Sequence, residues 1–460
     1  MKKYDALIIG SGQAANPLAA KLAAKGWKIA LVEKEHIGGT CINEGCTPTK
    51  TMVASAKNAF QAARAQEYGV TTGQVGINMP AIIKRKNEVI NRFRNGLDNW
   101  LSNLENIDIL RGEAVFTGSK QIAVTGKDGK IQECTGDTVF INTGARPAIP
   151  PIKGLNEVPY LTSTTIMELQ TVPAHLLIVG AGYVAIEFAQ MFRRFGSNVT
   201  MLNRSSQLLA REDPDVAEEM QSILEDEGIT ILRNINTEAI SRDGGGAIIV
   251  TAKDNNKPRI LTGSHVLIAT GRSPNTHRLQ LDKTGVETDK NGYIKVNEKL
   301  ETNVPGIYAL GDVKGGPAFT HISYNDYLVV YKNIIERQNI TINNRPVPYC
   351  VFMDPEMGRV GLNEAEAREQ QLPFKVAKLP MTRVARATEA GEPKGFMKAI
   401  VHAQTDKILG VVVIGAGGGE LMSLLQIAML GGVTASQLAE NIFAHPTYAE
   451  AINNLFNTIA

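Results

Sequence analysis

The amino-acid sequence predicts an α/β protein with two similar strand-turn-helix-strand units, followed by a C-terminal α+β part. An apolar run from Tyr4 to Gly10 leads into a glycine-rich turn and a helix-like stretch, and the same order of elements returns from Leu176 onward. The last part alternates strand-length runs, such as Leu409 to Ile414, with helix-like stretches. A chain of 460 residues is too long for one hydrophobic core. We therefore expect about two to four domains.

The first unit carries a glycine-rich turn directly after its first strand. Gly10, Gly12 and Ala15 follow the strand, and a second apolar run from Lys28 to Val32 ends in Glu33. In the Rossmann fingerprint one glycine forms the turn, the next lets the backbone approach a pyrophosphate, and a small third residue lets helix and strand touch. The acid can accept hydrogen bonds from ribose hydroxyls. This unit is predicted to bind a dinucleotide.

The second unit repeats the pattern. Gly180, Gly182 and Ala185 take the three motif positions after the strand from Leu176 to Val179, and Asn203 stands where the first unit has its acid. The separation between the first glycine and that position is the same in both units. Internal repetition of this kind organises the first part of the chain.

Each unit closes with a similar strand and tight turn, which contain Gly144 in the first unit and Gly271 in the second. Two such sites in one chain favour a flavin, as FAD, and a nicotinamide coenzyme held face to face, because hydride transfer requires contact between the rings. The alternative is that both units bind the same ligand. The segment that directly follows Glu33 argues against that alternative.

That segment contains Cys41 and Cys46. A C-x-x-x-x-C spacing at the start of a helix can bring the sulfurs together, and a helix N-terminus favours the thiolate. The spacing therefore predicts a redox pair. A metal site would need further ligands, but Cys134 and Cys350 stand alone in the sequence, so we predict no metal site.

The composition is that of an ordinary soluble globular protein, with 43% hydrophobic and 20% charged residues, and 48 Lys and Arg against 46 Asp and Glu. The densest basic stretch, Lys84 to Lys86 with Arg92 and Arg94, is expected on a solvated helix face rather than in a nucleic-acid-binding stripe. The apolar runs are too short for a signal peptide or a membrane span. We expect a cytoplasmic protein with neither a nucleic-acid nor a membrane partner.

The segment from Gly38 to Lys50 resembles the active-site signature of the pyridine nucleotide-disulfide oxidoreductases, which include glutathione reductase, lipoyl dehydrogenase and mercuric reductase. The segment from Thr302 to Val313 resembles the second FAD segment of that family, and His445 to Thr447 with Glu450 resembles its dimer-domain signature. The likeness covers nearly the whole chain. It implies two Rossmann-like dinucleotide-binding domains plus an α+β C-terminal dimerisation domain.

The resemblance also implies a role for each residue near the flavin. Cys46 would be the charge-transfer thiol beside the flavin, and Cys41 would be the interchange thiol that attacks the substrate. Lys50 and Glu187 would form an ion pair at the reactive edge of the flavin, where a cation stabilises the reduced ring. Tyr183 would be the aromatic lid that the nicotinamide displaces.

His445 would come from the other subunit of a homodimer and act as the acid-base of disulfide reduction, with Glu450 orienting its ring. A structural alternative exists, because Thr447 and Glu450 also fit a capping box at the start of a helix. If His445 acts in this way, disulfide chemistry requires the homodimer.

The coenzyme is predicted from the second unit, where Asn203 is followed by Arg204. A carboxylate at Asn203 would repel a 2′-phosphate, whereas an arginine can pair with it in a bidentate way. We therefore predict NADPH, with NADH also possible. Ser205, Ser206 and Arg211 could add hydrogen bonds.

The same family pattern divides the chain. In the second FAD segment Gly311 precedes Asp312, which would contact the ribityl-phosphate region of the flavin. The domains implied are an FAD-binding domain at 1–148 and 275–342, an NAD(P)H-binding domain at 149–274, and a dimerisation domain at 345–460.

Among the branches of the family, the sequence is most similar to mercuric reductase-like oxidoreductases, but the tail 453–460 lacks their vicinal cysteine pair. Efficient mercury reduction is therefore not expected. The predicted acceptor is a disulfide, a soft metal ion or a similar small molecule. The alternatives are a lipoyl dehydrogenase or quinone reductase that uses the same relay, and a low-turnover flavoprotein redox sensor.

Overall fold

The computed structural model describes residues 1–254 and 257–459. The chain divides into two compact units. Unit 1 comprises Met1–Met52, Pro80–Ala148 and Gly271–Arg345, and unit 2 comprises Val53–Met79, Ile149–Thr270 and Pro346–Ala460. The division into three domains with the boundaries given above stays a prediction.

The described residues contain strands throughout the chain. They are β1 (Lys2–Ile9), β2 (Ile29–Glu33), β3 (Ile107–Arg111), β4 (Glu113–Gly118), β5 (Gln121–Thr125), β6 (Ile131–Ile141), β7 (Ala145–Pro147), β8 (His175–Val179), β9 (Asn198–Leu202), β10 (Thr230–Leu232), β11 (Ile235–Arg242), β12 (Ile248–Asp254), β13 (Lys257–Gly263), β14 (His265–Ile268), β15 (Arg272–Pro274), β16 (Ile307–Ala309), β17 (Tyr349–Val351), β18 (Glu356–Gly361), β19 (Phe374–Pro380), β20 (Phe396–His402) and β21 (Ile408–Gly415).

The α-helices lie between these strands and after them. They are α1 (Ala15–Ala23), α2 (Gly39–Asn43), α3 (Cys46–Ala63), α4 (Met79–Ser102), α5 (Tyr183–Arg194), α6 (Pro214–Asp226), α7 (Thr320–Ile334), α8 (Glu364–Glu369), α9 (Ala385–Glu389), α10 (Gly418–Leu430), α11 (Ala435–Glu440) and α12 (Ala451–Phe456). Across the described ranges, no helix combines the length and the hydropathy that crossing a bilayer requires.

Unit 1 is built on a sheet with the order β3-β2-β1-β6-β5-β4, and β16 also pairs with β6. The strands β3, β2, β1, β6 and β16 run parallel. The inner residues of β1, from Ala6 to Ile9, are at most 3% exposed, as expected for a parallel strand that is covered on both faces. The first glycine-rich turn follows the carboxyl end of β1, where sheets of this kind bind their ligands.

Unit 2 contains a parallel sheet with the order β10-β9-β8-β14 and an antiparallel sheet, β11-β12-β13. The second glycine-rich turn follows β8. The last part of unit 2 forms an antiparallel sheet with the order β17-β18-β21-β20-β19. These sheets match the predicted α/β class with an α+β C-terminal part.

The helix α10 is apolar on both faces. Leu421 and Leu425 pack into the core of the C-terminal part. On the opposite face Leu424 is 37%, Ile427 is 68% and Leu430 is 65% exposed. Exposed apolar residues that lie together on one helix face are a surface that another chain can cover.

One expectation about α4 was wrong. Lys84 and Arg92 are exposed as predicted, but Lys86 is completely buried. The physical reason is helical periodicity, since Lys86 shares the inward face of α4 with Ile83 and Ile90, both 5% exposed.

Candidate active site

The two cysteines lie on two successive helices, Cys41 within α2 and Cys46 as the first residue of α3. Neither cysteine forms a disulfide in the structure, and Cys46 is the more exposed of the two. Thr320, the first residue of α7, lies between them: its hydroxyl is 3.0 Å from the Cys41 sulfur and 3.5 Å from the Cys46 sulfur. The predicted redox pair is therefore brought together, together with a hydroxyl that the sequence alone did not identify.

The pKa of the Cys41 thiol is raised. The hydrogen bond with Cys46 and the burial of Cys41 raise it, and both outweigh the opposing effects of Thr320 and Lys50. A thiol that donates a hydrogen bond to a neighbouring thiolate keeps its proton. After one deprotonation the negative charge therefore resides mainly on Cys46.

Glycines place the cysteine segment against the first glycine-rich turn. Gly39 has a φ of +61°, and a Cβ built there would lie 2.9 Å from Gly12 Cα. The Gly38 amide also donates to the Ser11 carbonyl at 3.0 Å. Only glycine permits this close approach, which explains why Gly38 and Gly39 precede the cysteine pair.

The first glycine-rich turn packs against the end of β6. A Cβ at Gly10 would lie 2.5 Å from the Asn142 backbone oxygen, and one at Gly12 would lie 2.5 Å from Asn142 Oδ1. The Ala15 amide donates to the same Oδ1 at 3.2 Å. Asn142 thus supports the turn from behind. Sequence reasoning did not single it out, and its signal was only the difference from Ala269 at the matching place in the second unit.

The predicted ribose-binding acid is held by backbone. Ser11 and Glu35 donate their amides to the two Glu33 carboxylate oxygens at 2.9 and 2.8 Å. The carboxylate therefore lies at the edge of the first glycine-rich turn, and its remaining acceptor positions are available to ribose hydroxyls.

Charged groups surround the segment that resembles the second FAD segment, and the pair Arg272 and Asp312 is half-buried. The Gly311 amide donates to Asp326 at 2.8 Å, and Arg272 Nε lies 3.6 Å from Asp312. Burial raises the pKa of Asp312, although Arg272 and Lys314 oppose the shift.

Arg272 supplies a direct test of whether unit 1 fits FAD. Within the described residues its Nε is buried and has no hydrogen-bond partner. A buried guanidinium donor without an acceptor is costly, and an oxygen of a phosphate group would satisfy it. Gly144, predicted at the same site, has a φ of +67° and no atom closer than 4.0 Å to a Cβ built on it. The residues present therefore fit a bound dinucleotide.

The second glycine-rich turn differs from the first in one respect. Gly180 is packed, because a Cβ there would lie 2.3 Å from the Ala269 oxygen, but a Cβ at Gly182 would meet nothing within 4 Å. Gly182 therefore faces open space beside the N-terminus of α5, where a pyrophosphate can approach. Ala185 is fully buried on α5, as its role in helix and strand contact requires. Gly271, the other predicted glycine of this group, has a φ of +140°.

Two further predicted residues lie on α5. Tyr183 is its first residue and is half-buried. Glu187 is 3% exposed, and its carboxylate accepts a hydrogen bond from the Phe352 amide at 2.9 Å. The ion pair of Glu187 with Lys50 stays a prediction.

The loop after β9 carries the predicted coenzyme-selecting residues. Asn203 is buried and occupied with its own loop: its Nδ2 donates to the Gln207 carbonyl at 2.7 Å, and its Oδ1 accepts from the Ser205 amide at 3.0 Å. Arg204 is exposed. Arg233, which sequence reasoning missed, has a guanidinium nitrogen 3.5 Å from the carbonyl of Ser206 in the same loop. Asn203 thus shapes the loop, and arginine side chains border it.

His445 and Glu450 form a pair. Nδ1 of His445 lies 3.0 and 2.9 Å from the two Glu450 carboxylate oxygens. The Glu450 amide donates to the Thr447 hydroxyl at 3.2 Å, so half of the predicted capping box is present. The Glu450 carboxylate, however, faces the imidazole. His445 is 67% exposed, which leaves its ring accessible from outside the chain.

A cluster of acids in unit 2 surrounds a lysine. Lys398 Nζ lies 2.9 Å from Asp213, 2.9 Å from Asp215 and 2.6 Å from Glu364. Among the described residues these three acids are the group close enough to hold a metal ion. The ammonium of Lys398, which is 1% exposed, already contacts all three carboxylates.

Comparison with known proteins accounts for nearly the whole chain. Residues 4–326 match the family described as pyridine nucleotide-disulphide oxidoreductase, and residues 347–456 match the dimerisation domain of that family. The second match supports the predicted homodimer.

Individual proteins that are similar to this chain belong to the same family. The chain is 37% identical to the probable pyridine nucleotide-disulfide oxidoreductase RclA of Escherichia coli K12, with 100% of both chains covered. It is 35% identical to a mercuric reductase of Staphylococcus aureus, covering 98% of this chain and 81% of the relative. A solved structure described as the Cu(II) complex of HOCl-induced flavoprotein disulfide reductase RclA from Escherichia coli superposes with a TM-score of 0.91 at 37% identity, covering 99% of each chain.

The comparisons confirm the predicted family, fold class and enzyme class. Members of this family are FAD-dependent and use NAD(P)H, which confirms the predicted cofactors at that level. Placed beside the glycine-rich turns and the cysteine pair, these matches show that the chain belongs to the pyridine nucleotide-disulfide oxidoreductases.

Proposed function

We propose that this enzyme takes a hydride from NADPH and passes the electron pair through FAD to the Cys41 and Cys46 disulfide. The reduced pair then delivers the electrons to a disulfide, a soft metal ion or a similar small acceptor. The observation that carries the proposal is the arrangement of two thiols that share the Thr320 hydroxyl, in a segment that contacts the first glycine-rich turn through Gly39.

In this scheme FAD supplies two-electron redox chemistry between the coenzyme and the cysteine pair. Cys46 holds the thiolate next to the flavin, in agreement with the raised pKa of Cys41. Cys41 attacks the acceptor. Lys50 and Glu187 form the ion pair at the flavin edge, and Tyr183 covers the nicotinamide site.

Cofactor binding is assigned to both glycine-rich turns. In unit 1 the dinucleotide is held by the turn and its supports, namely Gly10, Gly12, Ala15, Glu33, Gly144, Gly311 and Asp312. The coenzyme is held by the second group, namely Gly180, Gly182, Ala185, Asn203, Arg204 and Gly271. Arg204 selects the 2′-phosphate, while Asn203 acts indirectly through the shape of its loop.

His445 of the second subunit protonates the thiolate that leaves when Cys41 attacks a disulfide. The 2.9 Å contact with Glu450 supports this role, because a carboxylate on Nδ1 orients the ring and fixes a proton there, leaving Nε2 for exchange. The high exposure of His445 also fits a residue that serves another chain.

The acceptor is the least defined part. One relative is a mercuric reductase and another is described in a Cu(II) complex, so both metal ions belong in the tests. Residues 453–460 contain no cysteine, and we expect Cu(II) or a disulfide to be used better than Hg(II). Lipoamide and quinones test the alternatives that use the same relay.

The experiment is an anaerobic NADPH titration of the purified holoenzyme, followed by turnover with glutathione disulfide, lipoamide, Hg(II), Cu(II) and quinones. Two-electron reduction should produce a long-wavelength absorption band from the Cys46 thiolate beside the flavin. Cys46→Ser should abolish this band, whereas Cys41→Ser should retain one. The opposite pattern would reverse the assignment of the two thiols.

A low-turnover redox sensor is the second candidate function. The relative described as HOCl-induced favours it. Steady coenzyme consumption with an acceptor, lost in Cys41→Ser, decides for the enzyme. Reduction of the flavin without turnover on any acceptor decides for the sensor.

A further inference from the structure

The Thr320 hydroxyl is one donor between two reactive sulfurs. It lies 3.0 Å from Cys41 Sγ and 3.5 Å from Cys46 Sγ. A hydroxyl carries a single proton and therefore donates to one sulfur at a time. The shorter contact makes Cys41 its acceptor in the structure.

The distribution of charge over the pair decides what the pair can do. Two electrons break the sulfur-sulfur bond, and uptake of one proton leaves one thiol and one thiolate. The hydrogen bond with Cys46 and burial hold the proton on Cys41, whereas Thr320 and Lys50 favour the charge there. Only a thiolate attacks an acceptor. The fraction of negative charge on Cys41 therefore limits the exchange step.

We propose that Thr320 sets how the negative charge of the reduced pair divides between the two sulfurs, by donating a hydrogen bond to the thiolate of Cys41. The inference rests on the proposed function, in which Cys41 attacks the acceptor and Cys46 faces the flavin. Thr320 is also the first residue of the 15-residue helix α7. The N-terminus of a helix carries partial positive charge, which favours a thiolate beside it.

The test is Thr320→Val, which keeps a β-branched side chain of similar size and removes the donor. The holoenzyme is reduced with dithiothreitol under anaerobic conditions. One measurement is the rate at which iodoacetamide alkylates Cys41 at neutral pH, assigned by peptide mass spectrometry. The other is the strength of the long-wavelength band from the Cys46 thiolate.

We expect Cys41 alkylation to slow by about tenfold, as for the loss of one hydrogen bond to a charged acceptor. The band from Cys46 should stay at least as strong as in the parent, because the charge that leaves Cys41 moves to its partner, which already holds most of it. Local damage or loss of flavin would weaken both signals together, so slower alkylation with an undiminished band identifies charge redistribution.

Thr320→Ser should restore both measurements to the parent values. Thr276→Val is the matched control, since it removes a hydroxyl that bonds the Gly292 carbonyl at 2.9 Å, and it should change neither. If Thr320→Val does not fold, Thr320→Ala measured in the same way decides.

The inference is overturned if the valine variant alkylates within about twofold of the parent, if the serine variant behaves like valine, or if both signals fall together. Alkylation of the dithiothreitol-reduced protein needs neither coenzyme nor acceptor. A protein that shows the slower alkylation but consumes no NADPH would therefore overturn the proposed function and leave the effect of Thr320 on Cys41 standing.

Discussion

Gly182→Ala should weaken coenzyme binding without weakening the fold. The backbone of Gly182 has φ −81° and ψ 176°, an extended conformation that alanine adopts without strain. A Cβ there would meet no atom within 4 Å. Replacing glycine by alanine at a compatible position restricts the unfolded chain and stabilises a protein by about 0.4–1 kcal/mol. Gly182 is also the N-cap of α5, where alanine is less favourable than glycine. The two effects oppose each other, so the melting temperature should change little.

The added methyl group would occupy the space through which a pyrophosphate approaches the backbone at α5. Weakening one hydrogen bond to a charged group costs about 1.5–3 kcal/mol. At about 1.4 kcal/mol for each factor of ten, the Michaelis constant for NADPH should rise by about ten- to a hundredfold. Flavin content should not change, because Gly182 belongs to the second glycine-rich turn.

The assay combines steady-state kinetics over a range of NADPH with thermal unfolding of the same preparation. Gly180→Ala is the contrasting variant: its φ of +131° and a Cβ 2.3 Å from the Ala269 oxygen should prevent normal folding. An unchanged Michaelis constant for Gly182→Ala would show that the coenzyme does not approach this turn. A raised constant with a lower melting temperature would show that the residue is structural.

Three further predictions concern other parts of the protein. His445→Ala should slow disulfide reduction by about two or more orders of magnitude, while the coenzyme still reduces the flavin and quinones are still turned over. Stopped-flow and steady-state assays measure these rates, and an equal loss with every acceptor would indicate a structural role. Arg204→Ala should raise the Michaelis constant for NADPH about tenfold, equivalent to about 1.4 kcal/mol, and leave that for NADH unchanged; a wild-type enzyme that prefers NADH would contradict this reasoning. Burial alone would raise the pKa of Asp215, but Lys378 and Lys398 hold that pKa below its ordinary value of 3.8, so the ionised carboxylate stabilises the fold above this pH and loses the effect as the pH falls further. Urea unfolding should show that Asp215→Asn is less stable than the parent at pH 6 and that the difference shrinks below pH 4. A difference that stays constant with pH would contradict the linkage.

Patterns that are local in sequence predicted much of the fold. The strand predicted from Leu176 to Val179 is found at His175–Val179, because its apolar run is short and ends at the glycine-rich turn. The glycine patterns that begin at Gly10 and Gly180 predicted both turns, because the Rossmann motif requires a glycine at these positions. Such features depend on residues within one strand, turn and helix.

The contacts that complete the site come from distant parts of the chain. Thr320 reaches Cys41 across 279 positions, and nothing in its neighbourhood distinguishes it from an ordinary helix residue. Asn142 supports Gly12 through a side chain whose direction only the packed sheet determines. Lys86 was expected in solvent because charged residues are rarely buried, and only its position on α4 shows otherwise.

The outer face of α10 has a consequence for the life of a newly made subunit. Ile427 and Leu430 present an apolar strip to water. If a second copy covers this strip in the homodimer, an unpaired subunit exposes it and is prone to associate with other proteins. If His445 serves the opposite subunit, such an unpaired subunit also cannot complete the reduction of a disulfide. The specific activity of disulfide reduction should then fall on dilution, and a newly made subunit would be inactive in this reaction until it dimerises.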